Sequence, residues 1–354
     1  MKGEKILAAL AVCLIGIGII GGKNATEKKD SVLEPATTPT PTAEAVRTIS
    51  VTTTGDCTFA TDDNASRELG FVSYAQRYGT DWFFDKVRDI FEEDDLTIVN
   101  FEGTLSDRGT REIKQFAFRG DPEYVNVLSN SSVEAANLAN NHSMDYGEIS
   151  LVDTKKYLAQ KDILYCRGKE DVTVSEINGI KVGLVGINYL NDTMRTELRD
   201  AIELAKKKGA ELIILSIHWG VEKATAPNED QKNAAYTAID CGADLVIGTH
   251  PHVLQGFEKY KGKYICYSLG NFSFGGNNAP SDMDTAIFRQ TFTFSGDKLK
   301  DDDNIMIIPC RISSAEGYNN YQPIPATGAS RERIIDRLTS YTEALGDLEL
   351  KFAD

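Results

Sequence analysis

From residue 48 onward, short apolar runs alternate with longer stretches of mixed polarity. The runs "TISVTTTGD" (48–56), "LTIVNFEG" (96–103), "VEAANLANN" (133–141), "ILYC" (163–166), "ELIILSIHWG" (211–220) and "DLVIGTHPH" (244–252) are brief, and all but "ILYC" close on Gly, Asn, Asp or His, which predicts buried strands. Apolar spacing between them predicts helices over 82–95, 124–132, 146–162, 192–210 and 228–243. Asn178-Gly179, set between two alternating runs in 174–188, predicts a hairpin. Further strands are expected over 263–274, 284–296 and 304–313, and a final helix over 329–346. Strand–helix alternation followed by a series of strands predicts an α/β layered domain with a mixed sheet. No internal repeat and no second boundary is visible within 48–354.

The N-terminal part follows another pattern. Lys2 and Lys5 precede an apolar run from Ile6 to Ile20, the layout of a signal-anchor or a secretory signal over residues 1–22. At about 1.5 Å per residue that stretch is slightly short of a ~30 Å hydrocarbon core. Cys13 follows Leu10-Ala11-Val12, which leaves a lipoprotein open as a third alternative. Residues 23–47, with "EPATTPTPTAEA", lack aromatics and read as a disordered Thr/Pro-rich linker. The expected location is therefore the cell membrane, single-pass with the body outside, or else secreted.

The net charge of -15 changes the picture by excluding a class of partner: so acidic a body would repel nucleic acid. Six cysteines (13, 57, 166, 241, 266, 310) show no paired spacing and mostly sit in strand-like runs, so buried free thiols are expected.

The candidate chemistry lies where apolar runs stop: Asp56, Asn100 with Glu102, Asn141 with His142, His218, and His250 with His252. All four histidines of the chain belong to this set. In open α/β sheets ligands collect at the carboxyl ends of strands, so these groups are expected to meet in one crater. Singly, each has an ordinary reading: Asp56 as a turn cap, Glu102 as a solvated acid, Asn141-His142 as a turn, His218 as a core histidine. His250 and His252 alternate on what reads as an extended segment, which would point both imidazoles the same way. Mixed nitrogen and oxygen donors suit Mn, Fe or Zn, one or two ions, rather than Ca. Such ions would activate water and polarise a phosphoryl or acyl oxygen, with His142 beside Asn141 as proton donor.

The blocks "GDCTF", "NFEGTLSD", "FAFRGDPEYVNVL", "NLANNHSMDYG", "IHWGVE", "GTHPHVLQG" and "YSLGNFSFG" occur in an order that resembles the CapA, or PGA-cap, family of bacterial poly-γ-glutamate capsule synthesis. The resemblance covers about residues 48 to 290. It implies a calcineurin-like metallophosphatase fold, a four-layer α/β/β/α sandwich, over 48–354. It also implies a metal-ligand set of Asp56, Glu102, Asn141, His218, His250 and His252, with His142 as proton donor. The sequence departs from the superfamily pattern at two places: Asp56-Cys57-Thr58 stands for Asp-x-His, and Asn100-Phe101-Glu102 for Gly-Asp. Arg119 in "FRGDP" would hold a carboxylate or phosphate, or be an exposed edge arginine. Asn271 in "LGNF" would line the crater or close a turn.

The resemblance implies an anchored extracytoplasmic component of poly-γ-glutamate synthesis or export, partnered by the membrane and other synthase components. The alternatives are a general metallophosphoesterase acting on a cell-envelope or nucleotide phosphate, and a non-catalytic scaffold stabilised by metal. Whether the chain is a metal-dependent hydrolase stays open at this level.

Overall fold

Apolar runs with little alternation become strands buried on both faces. The computed structural model describes residues 45–63, 68–190, 194–300 and 303–353. The expected anchor, most of the linker and Cys13 lie outside the described residues. In chain order the strands are β1 (Val46–Thr58), β2 (Leu96–Phe101), β3 (Thr104–Leu105), β4 (Arg119–Gly120), β5 (Ala135–Asn137), β6 (Leu164–Cys166), β7 (Thr173–Ile177), β8 (Ile180–Asn188) and β9 (Leu212–His218). They continue with β10 (Leu245–Thr249), β11 (Phe257–Tyr260), β12 (Lys263–Cys266), β13 (Asn271–Phe274), β14 (Asp284–Ser295), β15 (Lys298–Leu299), β16 (Ile305–Arg311) and β17 (Ile324–Pro325). The helices are α1 (Phe71–Tyr78), α2 (Arg88–Glu92), α3 (Val125–Ser129), α4 (Glu148–Ala159), α5 (Met194–Lys207), α6 (Glu229–Asp240) and α7 (Gly328–Glu343).

Two mixed sheets result. One runs β17-β16-β14-β1-β2-β5-β6, with β13 also on β1 and β15 on β14; the other runs β11-β12-β10-β9-β8-β7. Strands β1, β2, β5 and β6 are mutually parallel, as are β8, β9, β10 and β12, so each sheet presents a row of aligned carboxyl ends.

Strand parity sorts the side chains into layers. Ile49, Val51, Leu96 and Ile98 of the first sheet meet Val182, Leu184, Leu212 and Ile214 of the second in a core between the sheets. The opposite face of the first sheet, with Val99 and Phe101, is covered by Phe71, Phe91, Val125 and Leu158 from α1 to α4. The outer face of the second sheet, with Val185, Ile187 and Leu215, is covered by Leu198 and Ile202 of α5 and Ala235 and Ile239 of α6. Helix, sheet, sheet and helix therefore follow one another through the thickness of the body. Ile334 and Leu338 of α7 join the inter-sheet core. A buried aliphatic or aromatic side chain of this kind contributes about 1.5–3 kcal/mol.

Several elements differ from the sequence reading. β1 begins at Val46, two residues before the expected boundary. The helix expected over 82–95 shortens to Arg88–Glu92, because Phe83 and Phe84 are both buried: Phe83 stacks on Phe71 with ring centroids 3.9 Å apart, and Phe84 turns to Phe272. Two adjacent aromatics that both enter the core cannot share one face of a helix. The single strand expected over 263–274 is two, β12 in one sheet and β13 in the other, separated by Gly270 at φ 73°. The hairpin at Asn178-Gly179 forms as read, with φ of 51° and 73° at the two turn residues, as a type I′ turn requires. No helix among the described residues is long and apolar enough to cross a membrane. The five described cysteines are free thiols, four of them buried.

Candidate metal centre

A bulge in β1 aims the first ligand. Before it, Ile49 and Val51 face the inter-sheet core; after it, Cys57 faces the helix side. The register against β2 steps from Thr53↔Ile98 to Asp56↔Asn100, one extra residue on β1. That extra residue turns Asp56 toward the other sheet. Gly55 makes the turn possible, since a Cβ there would lie 2.1 Å from the Gly270 carbonyl oxygen.

Asp56 is flanked in register by Asn271 of β13 and Asn100 of β2, and Asn100 by Asn137 of β5. The amides link in series: Asn137 Nδ2 donates to Asn100 Oδ1 (2.9 Å), and Asn100 Nδ2 donates to Asp56 Oδ1 (2.8 Å). Facing this row, the second sheet aligns His218 of β9 with Thr249 of β10. The two sheets join where the His250 N–H donates to Asp56 Oδ2 (3.3 Å).

Glu102, His142, Asn141, His250 and His252 close the crater. Asp56, Glu102 and His218 are fully buried, and one donor atom from each lies within 4.8 Å of the others. His142 Nδ1 sits 2.7 Å from Asp145 Oδ2, which leaves Nε2 3.6 Å from Glu102 Oε1. Lys114 Nζ donates to Asp145 Oδ1 (2.7 Å) and to the Asn141 carbonyl (2.7 Å). Asn141 Oδ1 lies 2.8 Å from His218 Nε2, whose ring is fixed on the other side by Thr249 Oγ1 at 3.0 Å from Nδ1. His252 Nδ1 is 3.0 Å from both Asn271 Oδ1 and Asp56 Oδ2.

His250 and His252 do not converge by alternation along an extended segment. They take φ of 97° and 58°, the left-handed region, on either side of Pro251. Such backbone costs on the order of 1–3 kcal/mol per residue and persists where the surroundings dictate it. Here it brings the His250 ring to 4.6 Å from that of His218 and 5.8 Å from that of His252.

Two of the imidazoles are held ready as neutral donors. Burial, reinforced by neighbouring imidazoles, holds His218 well below its ordinary value and takes His250 down to about 4, so both are neutral donors at pH 7. Burial also lowers His142, against the pull of Asp145. Burial pushes the Glu102 carboxyl well above the carboxylate range. Burial opposes charge on His252, but Glu102 and Asp56 overcome it and raise the imidazole to about 9. The test of fit is in the orphaned atoms: both Glu102 carboxylate oxygens and His250 Nδ1 are buried without a hydrogen-bond partner. Buried acceptors left unpaired cost about 1–3 kcal/mol each. A divalent ion among these donors would satisfy them.

A matching family description, Bacterial capsule synthesis protein PGA_cap, spans residues 50–276, which takes in every one of these groups. The chain belongs to the PGA_cap family. It is 30% identical over 294 residues to the capsule biosynthesis protein CapA of Bacillus anthracis, covering 75% of this chain and 69% of that one. It is 29% identical over 221 residues to the PGA biosynthesis protein CapA of Bacillus subtilis strain 168, covering 56% and 58%. A probable polyglutamine synthesis accessory protein of Mycobacterium tuberculosis is 27% identical over 258 residues, with 62% and 66% covered. The chain thus spans between about three fifths and two thirds of these relatives' lengths.

At the positions where this PGA_cap chain departs from the metallophosphatase pattern, the structure shows how each residue is used. Thr58 donates its hydroxyl to the Glu102 carbonyl (2.7 Å) and so holds the backbone of that acid. Asn271 lines a cavity of about 600 Å³ that opens on His142 and His252. Arg119 stands apart: its guanidinium lies over the Tyr146 ring at 4.0 Å, with Asp63 at 3.9 Å. Sequence reasoning missed Asn137, Asp145 and Lys114 as supports. Asp145 had a local signal, three residues after His142; Lys114 had none, since its contacts span 27 to 31 residues of chain.

Proposed function

We propose that the chain is a membrane-anchored, extracytoplasmic PGA_cap protein of poly-γ-glutamate synthesis or export that works through a divalent transition metal at the strand ends. The names of its Bacillus relatives support the pathway, and the apolar segment with Lys2 and Lys5 before it supports the anchor. The observation that carries the chemistry is the buried, unpartnered Glu102 carboxylate among Asp56, His218, His250 and His252. Mn, Fe or Zn fits such a donor set.

Asp56, Glu102, Asn141, His218, His250 and His252 would hold the metal, and a bound ion would supply Lewis-acid polarisation of an acyl or phosphoryl oxygen. The protein's own part is positioning. Asp145 fixes the His142 ring through Nδ1, so that Nε2 faces Glu102 and the cavity; once it has taken up a proton there, the imidazolium can hand it to a leaving oxygen. Asn100 and Asn137 hold one Asp56 oxygen in place and leave the other toward the histidines. The aromatic walls Phe118 and Phe274 keep the proton donor in a partly dry setting, with the Phe118 ring 4.6 Å from that of His142.

The test is replacement of His218 and His252 by Ala in cells that make the polymer, alongside a phosphate-ester screen of the purified protein with Mn²⁺. Loss of polymer supports the reading. Polymer made at wild-type level would reduce the centre to a structural role, and broad ester hydrolysis without effect on polymer would favour a general phosphoesterase.

A further inference from the structure

Most charged groups around the cavity that opens on the metal centre are already paired. Asp62 is held by Arg111 (2.9 Å) and Asp282 by Arg337 (2.6 Å). Glu222 turns to the histidines, with one oxygen within 4.8 Å of donor atoms on His250 and His252. Lys114 is engaged with Asp145, and Arg119, the anion holder suggested by sequence, with Tyr146 and Asp63. Lys223 remains. It lines the cavity, is exposed, and forms no ion pair and no side-chain hydrogen bond among the described residues. Its placement is fixed by the fold. The Lys223 N–H donates to the Pro251 carbonyl (2.8 Å), and its φ of 64° lies in the left-handed region, where a non-glycine residue persists because its surroundings dictate it. Buried amides secure the next residue: Gln255 Nε2 donates to the Ala224 carbonyl (2.8 Å), and Gln231 Nε2 of α6 donates to Gln255 Oε1 (3.0 Å). Gln231 also closes the capping box of its own helix with Asn228, so the loop before α6 is tied to the helix start.

We propose that Lys223 is a specificity-determining residue that holds a carboxylate of the polymer at the exposed edge of the cavity. This rests on the polymer reading above and adds to it a residue and a recognition chemistry. The backbone of Lys223 is pinned, while its ammonium rides on a flexible four-carbon stem with three donors and can follow a pendant anion. The wall around it, with Gln115, Asn278 and Ser281, is polar and uncharged. Such groups hydrogen-bond to the amides of a chain, and the lysine supplies the selection for charge. In a body of net charge -15, a cation left without a carboxylate partner beside the entrance offsets the repulsion that an anionic chain meets there. A phosphate would be held by the same ammonium, and the test separates the two sources.

The experiment is a calorimetric titration of the full chain with a synthetic γ-linked glutamate tetramer and, separately, with inorganic phosphate, at low and at physiological salt, for wild type, Lys223→Met and Lys223→Arg. The Kd for the tetramer is expected to rise at least about fivefold in K223M, to return to within about twofold of wild type in K223R, and to depend less on salt in K223M than in wild type. Because Lys223 is exposed, neither replacement changes the circular dichroism spectrum. K223M that binds the tetramer within about twofold of wild type, or K223R that fails to restore binding, would overturn the role of Lys223 while leaving the polymer reading intact. Wild type that ignores the tetramer but binds phosphate with the same dependence on Lys223 would overturn the polymer as the ligand and leave the lysine as an anion holder. Wild type that binds neither would overturn both.

Discussion

Replacing Glu102 by Gln keeps the side chain's shape and removes its charge, which tests whether the carboxylate is placed for a cation or for the fold. Without a cation, both oxygens are buried and unpaired, and the nearest cationic group, His252 Nε2, is 3.8 Å away. His252 keeps Asp56 at 3.0 Å, so the substitution does not strand the imidazole. A buried glutamine needs no proton to stay neutral, which is worth about 2 kcal/mol at pH 7, or roughly 4 °C in Tm for a domain of this size. The chelator-treated Glu102→Gln protein is therefore expected to melt above wild type. With Mn²⁺ at 100 times its Kd, wild type gains about 2.7 kcal/mol, whereas a variant with 100-fold weaker binding gains only about 0.4 kcal/mol. The order of the two melting curves then converges or inverts on adding metal. Differential scanning fluorimetry with and without Mn²⁺ reads both effects. A metal-free variant that melts below wild type, or one that gains as much from Mn²⁺, would refute the reasoning.

Other consequences follow from the same geometry. Gly55→Ala places a Cβ 2.1 Å from the Gly270 oxygen and must shift the bulge; about 3 kcal/mol of destabilisation by urea unfolding is expected, together with loss of Mn²⁺ binding. Lys114→Met leaves the buried Asp145 Oδ1 and the Asn141 carbonyl without their donor, so Mn²⁺ affinity by calorimetry should fall about 10-fold and metal-free stability by about 1–3 kcal/mol. Far from the centre, burial and then Asp94 raise the Glu134 carboxyl to about 7. A raised acid binds its proton more tightly in the folded state, so its contribution is full below the ordinary carboxylate range and is lost as pH rises to about 7. Glu134→Gln should flatten that decline, with a gain of about 1–2 kcal/mol at pH 8 and little at pH 4, read by unfolding at both pH values.

Much of this was legible because two physical signals agreed. Runs such as "ELIILSIHWG" and "DLVIGTHPH" are apolar until their last residues, so the strand and its functional end are written together. Parallel strands in register then bring His218 level with Thr249, and Asp56 level with Asn100, without further instruction. The family blocks added the set as a whole. What could not be read was backbone detail. The bulge that turns Asp56 inward depends on Gly55 meeting Gly270, 215 residues further on. The left-handed turns at His250 and His252 replaced the expected extended geometry and still delivered both rings to one place. Arg119 reads equally well as an anion holder in sequence, and only the packed structure shows its guanidinium over Tyr146.

The most direct test of the metal centre is elemental analysis of the purified chain after supply of Mn, Fe or Zn and gel filtration. Retention of at least one transition ion per chain in wild type, with none in an Asp56→Ala/His218→Ala variant of native circular dichroism, is the predicted result. Wild-type protein that emerges metal-free, or a variant that keeps its ion, would contradict it.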